Sequence, residues 1–214
     1  MNILSYLIPQ KIAEFSTKYN NDIRVNDEYG AKKLLVNGSV QSGRYIRKLW
    51  QGAFKQFGIV EERNWKKILV LGVGGGTVIE LLNGQFPIAA VTAVDIDPVI
   101  INIAKKYFLT GDISYIDFIA ADAKEYVKKN ARKYDCVVID LFVGNTVPEF
   151  VKSISFIKEC KKCLSNNGIL CMNYLQDREY GKKSEELDKM LRNIFPNISD
   201  FGMKNNRFFF EHIV

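Results

Sequence analysis

The sequence is poor in metal ligands, and it has no long apolar run. His212 is its only histidine. The four cysteines are Cys136, Cys160, Cys163 and Cys171. Cys160-x-x-Cys163 has metal-site spacing, but no second cysteine pair or histidine cluster accompanies it, so no metal site is expected. Cys136 and Cys171 fall in apolar, strand-like runs, and nothing marks secretion. The four read as ordinary reduced thiols of a cytoplasmic chain. No stretch approaches the roughly 18 consecutive apolar residues that span a membrane. Met1 to Ile8 is apolar but short, with no basic start or small-residue cleavage site, so it does not read as a signal peptide. Internal repeats and low-complexity segments are missing too. The chain has 214 residues, 47% of them hydrophobic, which suits one large domain with a full core. The formal charge is +6. Its lysines come in scattered pairs such as Lys105-Lys106 and Lys161-Lys162, which read as solvated helix faces. An acidic partner such as RNA is the less favoured reading.

What the sequence does have is concentrated at Lys67–Leu82. The apolar run Ile68-Leu69-Val70-Leu71 ends in Gly72-Val73-Gly74-Gly75-Gly76, and a helical pattern opens at Thr77. Glycines at a strand-to-helix turn let the backbone bend sharply and approach a ligand, and the first amides of the helix face an oxygen-rich group. The third glycine of a Gly-x-Gly-x-x-Gly pattern would fall at Thr77, which weakens a dinucleotide reading. Nineteen residues past Gly76, the run Ala90-Val91-Thr92-Ala93-Val94 ends in Asp95. An acid there is placed to accept hydrogen bonds from a ribose diol.

Strand and helix patterns alternate from Lys67 onward. Strands are expected at 68–71, 91–94, 116–120, 134–140, 169–174 and 207–214. Helices are expected from Thr77, from Asp97-Pro98 to about Tyr107, at 123–130, at 148–164 and at 185–193. Asp97 is the N-cap before Pro98, and Asp122 is placed to cap the helix beginning at Ala123. This alternation predicts an α/β, doubly wound, mostly parallel sheet. Residues 1–60 differ and read as a small β-hairpin and helix lid on a catalytic domain at 61–214. Its hairpin pairs 23–25 with 33–36 across Asn26–Gly30. A helix from Tyr45 to Phe57 places Tyr45, Leu49, Trp50 and Phe54 on one face.

Leu34–Ser42, the glycine loop, Val94-Asp95-Ile96-Asp97, Ala121-Asp122-Ala123 and Tyr134–Asp140 occur in an order that resembles the spermidine synthase (polyamine aminopropyltransferase) family. The likeness runs from about Ile23 to the C-terminus. It implies a class I S-adenosylmethionine-dependent methyltransferase (Rossmann-like) fold with an N-terminal hairpin layer. It also implies a sulfonium nucleoside, S-adenosylmethionine or its decarboxylated form, with no metal. By this resemblance Gly72, Gly74, Gly75 and Gly76 cradle the ligand, and Asp95 with Ile96 takes the ribose. Asp122 and Ala123 take the adenine edge, Gln41 lies near the sulfonium, and Asp140 lines the site as the candidate base. A small-molecule or amine acceptor and a homodimer are likewise implied.

Two departures redirect the reading. The family's glycine-loop acid, which holds the amino end of the aminopropyl group, aligns with Gly74. A second acid, which helps bind the polyamine, aligns with Val143. An ammonium without its carboxylate costs a few kcal/mol, which argues against ordinary spermidine synthesis. Gly74 leaves room for a ligand that brings its own carboxylate, as S-adenosylmethionine does. The sequence therefore reads as a methylating member of the superfamily. A divergent aminopropyltransferase is the alternative, and a non-catalytic nucleoside-binding domain is a third reading.

Overall fold

A computed structural model of the chain describes residue 6 and residues 8–59, 64–177 and 179–211. His212, most of the segment before Ile8, and the expected boundary at residues 60 and 61 lie outside those residues. The organising strand is β5 (Lys67–Leu71), in which every residue after Lys67 is buried. It pairs in parallel with β6 (Ala90–Asp95) on one side and β8 (Tyr134–Ile139) on the other. A strand buried on both faces needs a continuous apolar run rather than alternation. Ile68-Leu69-Val70-Leu71 and Cys136-Val137-Val138-Ile139 supply it, all fully buried.

Beyond β6 lies β7 (Ile116–Ala120), and beyond β8 lies β9 (Leu164–Leu175). The C-terminal hairpin of β10 (Ile198–Met203) and β11 (Asn206–Glu211) completes the sheet, with β11 antiparallel to both β9 and β10. The order is β10-β11-β9-β8-β5-β6-β7. Each parallel crossover carries a helix. α2 (Thr77–Gln85), α3 (Pro98–Ile103) and α4 (Ala123–Lys129) follow β5, β6 and β7 in turn. α5 (Ile154–Lys162) follows β8, and α6 (Tyr180–Ile194) follows β9. The result is the expected mixed α/β architecture with a mostly parallel sheet.

The N-terminal layer is larger than the expected hairpin. It is a four-stranded antiparallel sheet, β1 (Gln10–Phe15), β2 (Ile23–Glu28), β3 (Ala31–Val36) and β4 (Ser39–Ser42). The turn between β2 and β3 is only Tyr29-Gly30, both at positive φ (54° and 71°). That geometry suits a two-residue hairpin, so the strands run further toward the turn than the sequence suggested. The layer rests on α3, where Ile23, Val25, Leu34 and Val36 pack with Ile100 and Ile103.

Other expectations need correction. α1 (Arg44–Gln56) buries Leu49, Trp50, Ala53 and Phe54, whereas Tyr45 is exposed. Trp50 and Phe57 pack against Phe208 and Phe210 of β11, with ring centroids 5.1 and 5.0 Å apart. The helix after Asp97 gives way to a single wide π turn at Ala104–Phe108. The expected helix at 148–164 is two pieces. A 3-10 turn, Glu149–Lys152, is followed by α5, and Ser153 caps α5 by accepting from the Phe156 amide. β9 begins at Leu164, so Asn166-Asn167-Gly168 lies inside it, ahead of the strand expected at 169–174.

Candidate active site

Two cavities open where β5, β6 and β8 end, the edge at which doubly wound sheets bind ligands. The first is a slot of about 170 Å³, walled by Gly72, Gly74, Asp95, Ile96, Asp122, Ala123, Asp140 and the lid residues Tyr19, Asn20 and Gln41. The second is about 560 Å³ and reaches from Gln41, Asp140 and Phe142 out to Asp177, Glu179 and Tyr180. Gln41, Asp140 and Phe142 line both. The slot is smaller than the roughly 300–1,000 Å³ of common ligand clefts. It suits a flat base and sugar, with the rest of a ligand passing Gln41 and Asp140 into the wider chamber.

The glycines divide into two kinds. Gly72, at φ 94°, and Gly74, at φ 51°, face the slot. A Cβ on Gly72 would lie 2.1 Å from the Asp140 carbonyl oxygen, so the ends of β5 and β8 meet with no space for a side chain. A Cβ on Gly74 would meet only the Gln41 carbonyl oxygen, at 3.2 Å. Gly75 and Gly76 pack elsewhere and are not among the slot-lining residues. Gly75 is pressed on Ser42, and Gly76 on Leu109. Gly76, at φ 81°, starts α2.

Asp95 ends β6 and is already partly engaged by its own protein. One carboxylate oxygen accepts the Val73 amide at 3.0 Å, and the other accepts the Asp97 amide at 3.0 Å. Burial raises its pKa, and the charge of Asp97 adds to the rise. The amides of Asp97, Val73 and Gly74 oppose it. A carboxylate oxygen has lone pairs to spare after one amide, so a diol can still be accepted. Asp122 caps α4, and one oxygen takes the amides of Lys124 and Glu125 at 2.7 and 3.3 Å. Its other oxygen has no protein donor in that cap, and Ala123 beside it lines the slot.

Asp140 sits just beyond β8 between the cavities. It accepts from Trp50 Nε1 at 3.2 Å and from Asn173 Nδ2 at 2.9 Å. Asn173 Oδ1 in turn accepts from Asn206 Nδ2 at 2.9 Å. Burial pushes the Asp140 carboxyl up to about 6, against the two side-chain donors that favour its ionised form. A carboxylate near 6 is ionised at neutral pH yet basic enough to take a proton. Gln41 is oriented by donating to the Gly144 carbonyl at 2.5 Å.

Sequence reasoning missed Trp50, Asn173, Asn206, Tyr19 and Asn20. Asn173 had a readable signal, being a polar residue in the apolar run of β9. Trp50 had none, because its indole edge meets Asp140 only after distant elements pack. The cysteines take no part. All four are buried and none forms a disulfide, and burial pushes the Cys160 thiol well above its usual range. Among the described residues, no helix is long and apolar enough to cross a membrane.

Comparison with known proteins agrees with this architecture. A polyamine aminopropyltransferase of Vibrio vulnificus is 34% identical over 111 residues, covering 50% of this chain and 37% of its own length. This chain spans roughly half the length of the curated relatives it matches. Human methyltransferase-like protein 13, solved with SAH, superposes with a TM-score of 0.60 at 25% identity, over 70% of this chain and 72% of that one. A spermidine synthase solved with the transition-state analogue AdoDATO superposes with a TM-score of 0.77 at 16% identity, over 94% of this chain and 73% of that one. The profile of the Spermine/spermidine synthase domain matches residues 49–203, and the chain belongs to that family.

Proposed function

We propose that the chain is an S-adenosylmethionine-dependent methyltransferase acting on an amine acceptor. The observation that carries the reading is Gly74, which lines the slot without a side chain, together with Val143 nearby. Gly74 offers no carboxylate to the amino end of an aminopropyl donor, and Val143 offers none to a polyamine. Human methyltransferase-like protein 13, which binds SAH in its crystal, lends support from the same fold. Reduced buried thiols suit a cytoplasmic setting.

The residues present fit such a ligand. Gly72 and Gly74 would let the backbone approach it, Asp95 has lone pairs for a diol, and Asp122 and Ala123 line the slot where a base would lie. When bound, S-adenosylmethionine supplies a methyl already activated on a sulfonium. The protein's part is positioning and desolvation. Gln41 and Phe142 mark the passage between slot and chamber, and the N-terminal sheet acts as the lid. Asp140 accepts the proton that an attacking amine must lose.

A divergent aminopropyltransferase is the second reading. It draws on the chamber, which the carboxylates Asp140, Asp177 and Glu179 line. Such a chamber suits a cationic acceptor. The test is an amine screen run in parallel with labelled S-adenosylmethionine and labelled decarboxylated S-adenosylmethionine. Methyl transfer supports the proposal. Aminopropyl transfer to putrescine or spermidine would replace it with the second reading.

A further inference from the structure

The lid is pinned to three of the loops at the strand ends that wall the slot, those after β5, β6 and β8. Ser42 bonds Thr77 after β5, and Gln41 bonds Gly144 after β8. The third pin is Asp97, after β6, which is 1% exposed. One of its carboxylate oxygens accepts the Thr17 hydroxyl at 2.6 Å and the Asn20 side-chain amide at 2.9 Å. The other caps α3 through the Val99 amide at 3.0 Å. Its backbone amide is one of the two that hold Asp95.

Capping α3 needs only one oxygen, and an asparagine would serve it about as well. A buried carboxylate with no cation beside it is costly unless hydrogen-bonded on every side. Here the second oxygen gathers two lid side chains across some 80 residues of sequence. Those side chains belong to a closed turn. The Thr17 amide donates to the Asn20 carbonyl at 2.9 Å, and the Thr17 hydroxyl accepts from the Tyr19 and Asn20 amides at 3.2 and 3.1 Å. Tyr19 and Asn20, with Val36 and Gln41, are the lid's contribution to the slot wall.

We infer that Asp97 is a positioning residue: the Thr17–Asn20–Asp97 latch seats the lid turn over the nucleoside slot and holds it in register with Asp95. The inference rests on the nucleoside reading above. Ligand affinity should then depend on Thr17, which does not line the slot, as well as on Asn20, which does.

The experiment is calorimetry with S-adenosylhomocysteine and with 5′-methylthioadenosine, which shares only the nucleoside end. The proteins are wild type, Thr17→Val/Asn20→Ala, Thr17→Ser, and the double variant combined with Asp95→Ala. The latch predicts that the double variant loses roughly tenfold in affinity for both ligands, the scale of a lost hydrogen bond to a charged group. Thr17→Ser should bind as wild type does. With Asp95 already removed, the same lid change should cost little more. Wild-type affinity with a lowered melting temperature would overturn the inference, because the latch would then be structural only. Equal losses with and without Asp95 would overturn the coupling. If the double variant does not fold, Thr17→Val alone carries the same comparison. No binding of either ligand by wild type would instead bring down the nucleoside reading, and the latch with it.

Discussion

Asp95 and Asp140 flank Gly72 on either side of β5, and their surroundings give them different work. Asp95 is held by backbone amides, which position it without adding mobile parts. Asp95→Ala should weaken S-adenosylhomocysteine binding by roughly 1–3 kcal/mol, read by calorimetry. An unchanged affinity would place the ribose elsewhere. Asp140 is held by side chains from α1 and β9, and its carboxyl is raised from 3.8 to about 6 by burial. If it acts as the base, kcat should fall as pH drops below about 6. Asn173→Ala removes a donor that favours the ionised form, so this acidic limb should move to higher pH. Asp140→Asn should lower kcat by about 10²–10⁴-fold with little change in cofactor affinity. Stability carries the same signature. A raised acid pKa means the folded state keeps its proton longer than the unfolded chain. Folding is unpenalised by this group below pH 3.8 and loses stability as pH rises toward about 6, by on the order of 3 kcal/mol in all. Urea titrations across that window should show a shallower fall in Asp140→Asn than in wild type, Asp95 contributing in the same direction.

At the scale of elements, the strand-to-helix turn after β5 is the most constrained piece of backbone. Gly72→Ala would drive a methyl into the Asp140 carbonyl at a positive φ. A loss of 1–3 kcal/mol or more is expected, measured as a lowered thermal midpoint together with weaker ligand binding. Gly74→Asp meets only one atom at 3.2 Å, and Asp tolerates positive φ better than most residues, so that variant should fold. The contrast explains what was legible in the sequence. The parallel strands were readable because burial on both faces forces continuous apolar runs, and Asp97-Pro98 announces a helix start by local chemistry alone. The helix at 148–164 misled because its periodicity continues across Ser153, where the hydroxyl prefers to cap a new helix. β1 and β10 were missed because each is polar on its exposed face and is fixed by pairing with a neighbour. Asp95, Asp122 and Asp140 announced themselves as acids at strand ends. Trp50 and Asn206 did not, since each reaches the site through tertiary packing.

At the scale of the molecule, the site is a joint product of two layers. The large sheet supplies the acids and the glycine turn. The small sheet supplies Gln41, Tyr19 and Asn20, and its three pins set how closely it covers the slot. The family's architecture is kept, while Gly74 leaves the donor's amino end without its expected carboxylate and Val143 leaves the polyamine without a second. A ligand carrying its own carboxylate can neutralise its own ammonium there, and one lacking it cannot. The most direct measurement is calorimetric titration of the wild-type protein with S-adenosylmethionine and decarboxylated S-adenosylmethionine side by side. The account predicts tighter binding of S-adenosylmethionine. Tighter binding of the decarboxylated form would contradict it and return the chain to aminopropyl transfer.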